Sequence, residues 1–198
     1  MSLWEAGAFR TPLGDVPVDA QTAEALLEIS RGVVGVDHDA HRAEHAVEVE
    51  LPFLQLLRPD VRIVPLVLAW DVWDGARELG EMLGRLVQAT GEPVLLLASS
   101  DLNHYEPAGV TEQKDAQALD AIRALDGAEL LARCRRERIS MCGRGPAATV
   151  IAAARALGAT RADVRRTCVT PAQSVRSSGS RLGRAATRAC RARLSELA

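Results

Sequence analysis

Two apolar runs of strand length, Val61 to Ala69 and Pro93 to Ala98, bracket a stretch with helical spacing at Asp71 to Leu86. Val72, Ala76, Leu79, Leu83 and Leu86 recur every three or four residues there, as on a helix that lies against a sheet. The first run is rich in β-branched residues and too short for a buried helix. Strands that alternate with helices of this length point to an α/β layered fold with a mostly parallel central sheet flanked by helices.

Other segments fit the same frame. Thr11-Pro12-Leu13-Gly14-Asp15 is a turn, and Asp19 is placed to cap a helix through Ile29 that ends near Gly32. A second helix is expected around Val47 to Leu57, kinked by Pro52. Glu112 to Leu125 and Asp126 to Arg136 follow as helices, the latter capped by Asp126. Ala147 to Leu157 is a small-residue helix with Pro146 near its first position. From Arg161 onward the texture changes: nine arginines face only Asp163 and Glu196. Arg161 to Val169 reads as a last strand, Thr170 to Ser180 as loop and Ala185 to Leu197 as a helix.

The 198 residues suffice for one domain with a sizeable core. A net charge of −2 gives the whole molecule no reason to bind nucleic acid, and no aromatics interleave with the C-terminal arginines to stack bases. The longest apolar stretch, Val61 to Trp70, holds Arg62 and Pro65 and is too short to span a bilayer. Met1 to Arg10 lacks the pattern of a secretory signal, and the four cysteines form no CxxC pair. The expectation is a cytoplasmic protein with reduced cysteines, and with neither nucleic-acid nor membrane partners.

Three clusters carry chemistry. In the first, Pro93 to Ala98 empties into Ser99-Ser100-Asp101-Leu102-Asn103-His104-Tyr105. Ligands of open α/β sheets sit beyond the carboxyl ends of strands, and Asp101 with His104 can form a base, a metal ligand or an orienting pair. Asp101 equally suits capping. In the second, His38, His41 and His45 fall among carboxylates between Asp37 and Glu48, with His41 and His45 spaced to share one helix face. There is no HExxH motif, and a solvated helix entrance accounts for His38 and His41; His45 is the better-placed site candidate. The third is Cys142-Gly143-Arg144-Gly145-Pro146. A helix N-terminus and Arg144 both favour a Cys142 thiolate, and Gly143 and Gly145 let the backbone approach an anion. A buried cysteine followed by a glycine turn is the plainer alternative.

Five pieces together resemble the Memo family, including the bacterial and archaeal proteins called AmmeMemoRadiSam system protein B. They are FRTPLGDVPVD (Phe9 to Asp19), EHAVEVELPFLQ (Glu44 to Gln55), IVPLVL (Ile63 to Leu68), SSDLNHY (Ser99 to Tyr105) and CGRGPAATVIAA (Cys142 to Ala153). The resemblance implies a fold similar to class III extradiol dioxygenases and a pocket whose metal, iron or copper, is held by two histidines and a cysteine. By this resemblance Cys142 stands at the cysteine position, and Asp101, His104 and His45 at other pocket positions. It also implies AMMECR1-like and radical SAM partners, alongside an undefined small molecule or peptide.

The family's two ligand histidines lie in an HAG-type and a GPSHH-type segment, neither of which occurs in this chain. The expectation is therefore a partial Memo-like domain over residues 1–169, lacking its first strand and having an incomplete metal site, with residues 170–198 a divergent basic segment. Three functions follow as expectations: a metal-dependent oxygenase-like or redox enzyme, a peptide- or anion-binding module using Arg144, Gly143 and Gly145, and a cysteine hydrolase with Cys142 as nucleophile, His104 as base and Asp101 as orienter.

Overall fold

A computed structural model describes residues 1–165. Of the strand expected at 161–169, residues 161–165 are described and form no strand; the remainder, the loop expected at 170–180 and the helix expected at 185–197 lie outside the described residues. Within them the chain is mixed α/β. Strand β1 (Ser2–Leu3) lies between β4 (Gly35–Val36) and β5 (Leu66–Val67), parallel to the first and antiparallel to the second. A hairpin of β2 (Ala8–Thr11) and β3 (Gly14–Pro17) turns at Pro12-Leu13, where the Thr11 hydroxyl accepts the Leu13 N–H at 3.0 Å.

Helix ends fall where capping chemistry puts them. Asp19 accepts the Thr22 N–H at 3.2 Å and opens α1 (Ala20–Ser30), and Asp37 opens a short α2 (His38–Arg42). Helix α3 (Leu51–Leu57) begins four residues later than expected. Pro52 does not kink it: a proline costs nothing in the first turn, where its missing N–H has no partner, and here it is the second residue of the helix. Helix α4 (Trp73–Thr90) ends on Gly91 at φ +65°. Next come α5 (Ala108–Arg123), α6 (Gly127–Arg136), capped by Asp126 through the Glu129 N–H at 2.9 Å, and α7 (Arg144–Ala156).

The sheet departs from expectation. Of Val61 to Ala69 only Leu66 and Val67 join a ladder, antiparallel, with Ile63 in a single bridge to Val18. Pro65 has no N–H to give, and its carbonyl takes only the Trp4 N–H at 3.3 Å. Pro93 to Ala98 forms no strand. A strand exists through its neighbour, and among the described residues none lies alongside this run. Among the described residues the expected mostly parallel sheet is thus replaced by one short parallel pairing and two short antiparallel ones, the β2–β3 hairpin included.

Packing is carried by helices. Ala76, Leu79, Leu83 and Leu86 of α4 are buried as their spacing requires, while Val72 stays outside as the residue preceding the helix. Leu79, Leu83 and Leu86 join Leu3, Leu26 of α1, Val34, Met82 and Ala153 of α7 in one core, while Ala76 packs with Leu131 and Ala148. Full burial of Leu79 or Leu26 is worth about 1.5–3 kcal/mol each. A second core gathers α5, α6 and α7 around Ala121, Leu130, Cys134, Ile139 and Ile151. Helices α4 and α7 cross closely because Gly80 has no side chain: a Cβ there would meet the Ala152 Cβ at 2.5 Å and the Thr149 carbonyl at 2.6 Å. This crossing fixes the start of α7, and so Cys142, relative to the sheet side of the molecule.

Candidate functional site

Two loops meet at the start of α7. The loop after the apolar run carries Ser99 to Glu106, and the loop before α7 carries Ser140 to Gly143. Gly143 is what lets them touch: a Cβ there would lie 2.3 Å from the Ser99 carbonyl oxygen and 2.5 Å from the Ser100 Cβ. The Gly143 N–H donates to Ser100 Oγ at 2.8 Å, and the Asp101 N–H donates to Cys142 Sγ at 3.1 Å. Cys142 and the Asp101 side chain are both open to solvent.

His104 is held by a clamp. Its main-chain N–H donates to Ser140 Oγ at 2.6 Å, and its Nδ1 lies 2.8 Å from the Ser140 carbonyl oxygen. A carbonyl only accepts, so Nδ1 carries the proton and Nε2 faces the Asp101 carboxylate at 3.5 Å. Nε2 is therefore the ring nitrogen left free to accept a hydrogen bond. Asn103 supports the clamp by accepting the Ser140 N–H at 3.0 Å and donating to Glu106 at 2.6 Å. Lys114, 2.7 Å from Glu106, holds that carboxyl below the usual carboxylate range, helped by Asn103. Next to His104, Tyr105 sits at φ +62° with its ring exposed.

The structure thus brings Cys142, Asp101 and His104 into one surface cluster. Ser140 and Asn103 were not singled out from sequence. The signal for them was modest: a hydroxyl two residues before Cys142 and an amide beside His104. The sulfur's hydrogen-bond contacts are with Ser100 and Asp101, so the thiol–imidazole bond that a hydrolase would use is not formed. Arg144 is tied to Asp71 through its Nε, and a Cβ at Gly145 would lie 2.7 Å from the Trp70 carbonyl oxygen. Both residues therefore serve the packing of α7 on the Trp70-Asp71 turn.

The histidine-rich segment does not act as a unit. Helix α2 stops at Arg42, so His41 and His45 share no helix face. His41 is buried, with Nε2 3.2 Å from the Ser2 carbonyl oxygen, and burial pushes it below the usual imidazole range. His38 stacks on Trp4 with ring centroids 4.2 Å apart and pairs with Glu5 at 2.7 Å. His45 is largely exposed beside Glu44, 3.6 Å away. The segment's link to the cluster is Glu50, which accepts the Ser99 hydroxyl at 3.0 Å. Cys134, in the second core, is pushed up by burial. Cys168 and Cys190 lie outside the described residues.

Comparison with known proteins adds a relationship. A family model described as Memo-like protein matches residues 1–180. A MEMO1 family protein of Methanothermobacter thermautotrophicus is 37% identical over 166 residues, covering 84% of this chain and 60% of the relative. One from Sulfolobus acidocaldarius is 39% identical, covering 80% and 56%, and one from Thermotoga petrophila is 42% identical, covering 76% and 54%. The chain therefore spans just over half the length of these curated relatives.

Proposed function

The chain belongs to the Memo-like family, and from that premise we propose that it contributes Cys142, Asp101 and His104 to a metal-dependent, oxygenase-like or redox site. The supporting observation is the Asp101 N–H on Cys142 Sγ at 3.1 Å, with the Asp101 carboxylate 3.5 Å from His104 Nε2. One short loop thereby joins a soft donor to a proton-handling pair. A thiolate suits copper(I) or iron better than magnesium or calcium.

Among the described residues no three or more His, Cys, Asp or Glu side chains are grouped to hold a metal ion. These residues supply one donor, not a coordination sphere, and a single donor gives a metal no defined geometry. This chain's own groups supply the geometry that supports the reading: Cys142 is accessible and in reach of an N–H donor, Ser140 fixes the tautomer of His104, and the Asp101 carboxylate lies 3.5 Å from its Nε2.

The test is anaerobic titration with copper(I) and iron(II) in a background where Cys134, Cys168 and Cys190 are serine. A sulfur–metal signature in the X-ray absorption spectrum that vanishes on Cys142→Ser supports the reading. Its absence at metal excess, or its survival in that variant, contradicts it.

A further inference from the structure

Lys114 is the chain's single lysine and lies on α5, yet it touches both loops that build the cluster. Its ammonium is 2.7 Å and 2.9 Å from the two oxygens of Glu106, at the end of the first loop. It also donates at 3.1 Å to the carbonyl of Arg138, just ahead of the second. An ammonium carries three donors, enough for both partners at once. Arg138 holds the left-handed conformation that follows α6, at φ +53°, a place where glycine is usual. The Lys114 side chain is 16% exposed, less than any other cation in an ion pair among the described residues.

Glu106 makes the connection directional. A carboxylate only accepts, so Asn103 turns its Nδ2 toward Glu106 at 2.6 Å and its Oδ1 the other way. That oxygen accepts the Ser140 N–H at 3.0 Å and the Ser140 hydroxyl at 3.2 Å. Ser140 in turn holds the main-chain N–H and the Nδ1 of His104. Asp115, next along α5, accepts the Asn103 main-chain N–H at 2.9 Å, so the whole relay hangs from one helical turn. We propose that Lys114 is a positioning residue: through Glu106, Asn103 and Ser140 it fixes the Nδ1–H tautomer of His104, and through Arg138 it keeps the Cys142 loop against the His104 loop. It touches no reacting atom. This role rests on reading Cys142, Asp101 and His104 as one site, but its test contains no metal, so the metal titration and the tautomer can fail separately.

Long-range nitrogen-15 NMR of the histidine rings, at a pH about two units above the ordinary imidazole value, reads the tautomer of His104. The parent should show mainly Nδ1–H. Lys114→Met removes the ammonium and keeps an unbranched chain; the ratio of Nδ1–H to Nε2–H should fall on the order of fivefold, the worth of one such hydrogen bond. Glu106→Gln should lower it likewise with Lys114 intact. Its oxygen goes to the ammonium, and its NH2 then faces Asn103 and turns that amide round. This variant decides the question if Lys114→Met loses its helical circular dichroism. Asp126→Ala weakens the start of α6 without touching either loop and should leave the ratio unaltered. An unchanged ratio in either folded variant overturns the proposal, as does a parent that is mainly Nε2–H. So does an equal fall in Asp126→Ala, which would make the tautomer follow stability rather than Lys114.

Discussion

Replacing Gly80 with alanine sets two opposing effects against each other. In a free helix, alanine for glycine gains about 1 kcal/mol. Here the new methyl would lie 2.5 Å from the Ala152 Cβ, 2.6 Å from the Thr149 carbonyl oxygen and 2.8 Å from the Ala153 nitrogen. Two of those atoms are α7 backbone, which cannot swing aside as a side chain can. Overpacking of this kind costs about 1–3 kcal/mol, and a rigid obstacle puts it near the upper end, leaving a net loss of about 1–2 kcal/mol. One turn on, a methyl at Gly84 meets the Ala156 Cβ at 3.1 Å, the Ala153 carbonyl oxygen at 3.6 Å and the Leu157 Cγ at 3.9 Å. A shift of a few tenths of an ångström relieves it, so Gly84→Ala should come out neutral or more stable by up to about 1 kcal/mol. Urea unfolding with an unchanged m-value measures both, and the melting temperatures should separate by several degrees. A Gly80→Ala protein at least as stable as the parent, or the reverse order of the two variants, would refute the close crossing of α4 and α7.

Three more outcomes follow. Asp126→Ala removes the acceptor for the Glu129 N–H and should cost about 1 kcal/mol in a urea melt, which Asp126→Asn should largely restore. His41 is held below its unfolded value near 6.5 by burial, so the unfolded chain takes up the proton first. The stability tied to its neutral form is complete above that value and is lost as pH falls through the folded value; the urea midpoint should drop below pH 6.5, less steeply in His41→Gln. In native protein at pH 8, site-resolved mass spectrometry should find Cys142 alkylated by iodoacetamide well before buried Cys134, and equal rates would contradict their placement.

What was readable in the sequence was local chemistry. Asp19 and Asp126 announce helix starts because a carboxylate next to free N–H groups acts within a few residues. The burial of Ala76, Leu79, Leu83 and Leu86 follows from periodicity alone. Pairing partners were not readable. Pro93 to Ala98 has the composition of a buried strand, yet strandhood needs a neighbour that composition does not name. His41 and His45 illustrate the same limit: their spacing suits a shared face only if the helix continues, and it ends at Arg42. In the site, the meeting of Asp101 with Cys142 across forty residues depends on Gly143, whose missing side chain is legible only once Ser99 and Ser100 are beside it. Ser140 was passed over because its role is to bond both the main-chain N–H and the ring of a distant histidine.

The central claim is that Cys142, Asp101 and His104 form one chemical unit with Cys142 as its soft donor. X-ray absorption at the copper edge, on the chain carrying Cys142 as its sole cysteine and loaded anaerobically with copper(I), tests it most directly. A sulfur scatterer should disappear in Cys142→Ser and persist in His104→Ala, because His104 is proposed to handle protons and not to ligate the metal. A spectrum with no sulfur, or a sulfur shell lost equally in His104→Ala, would contradict it.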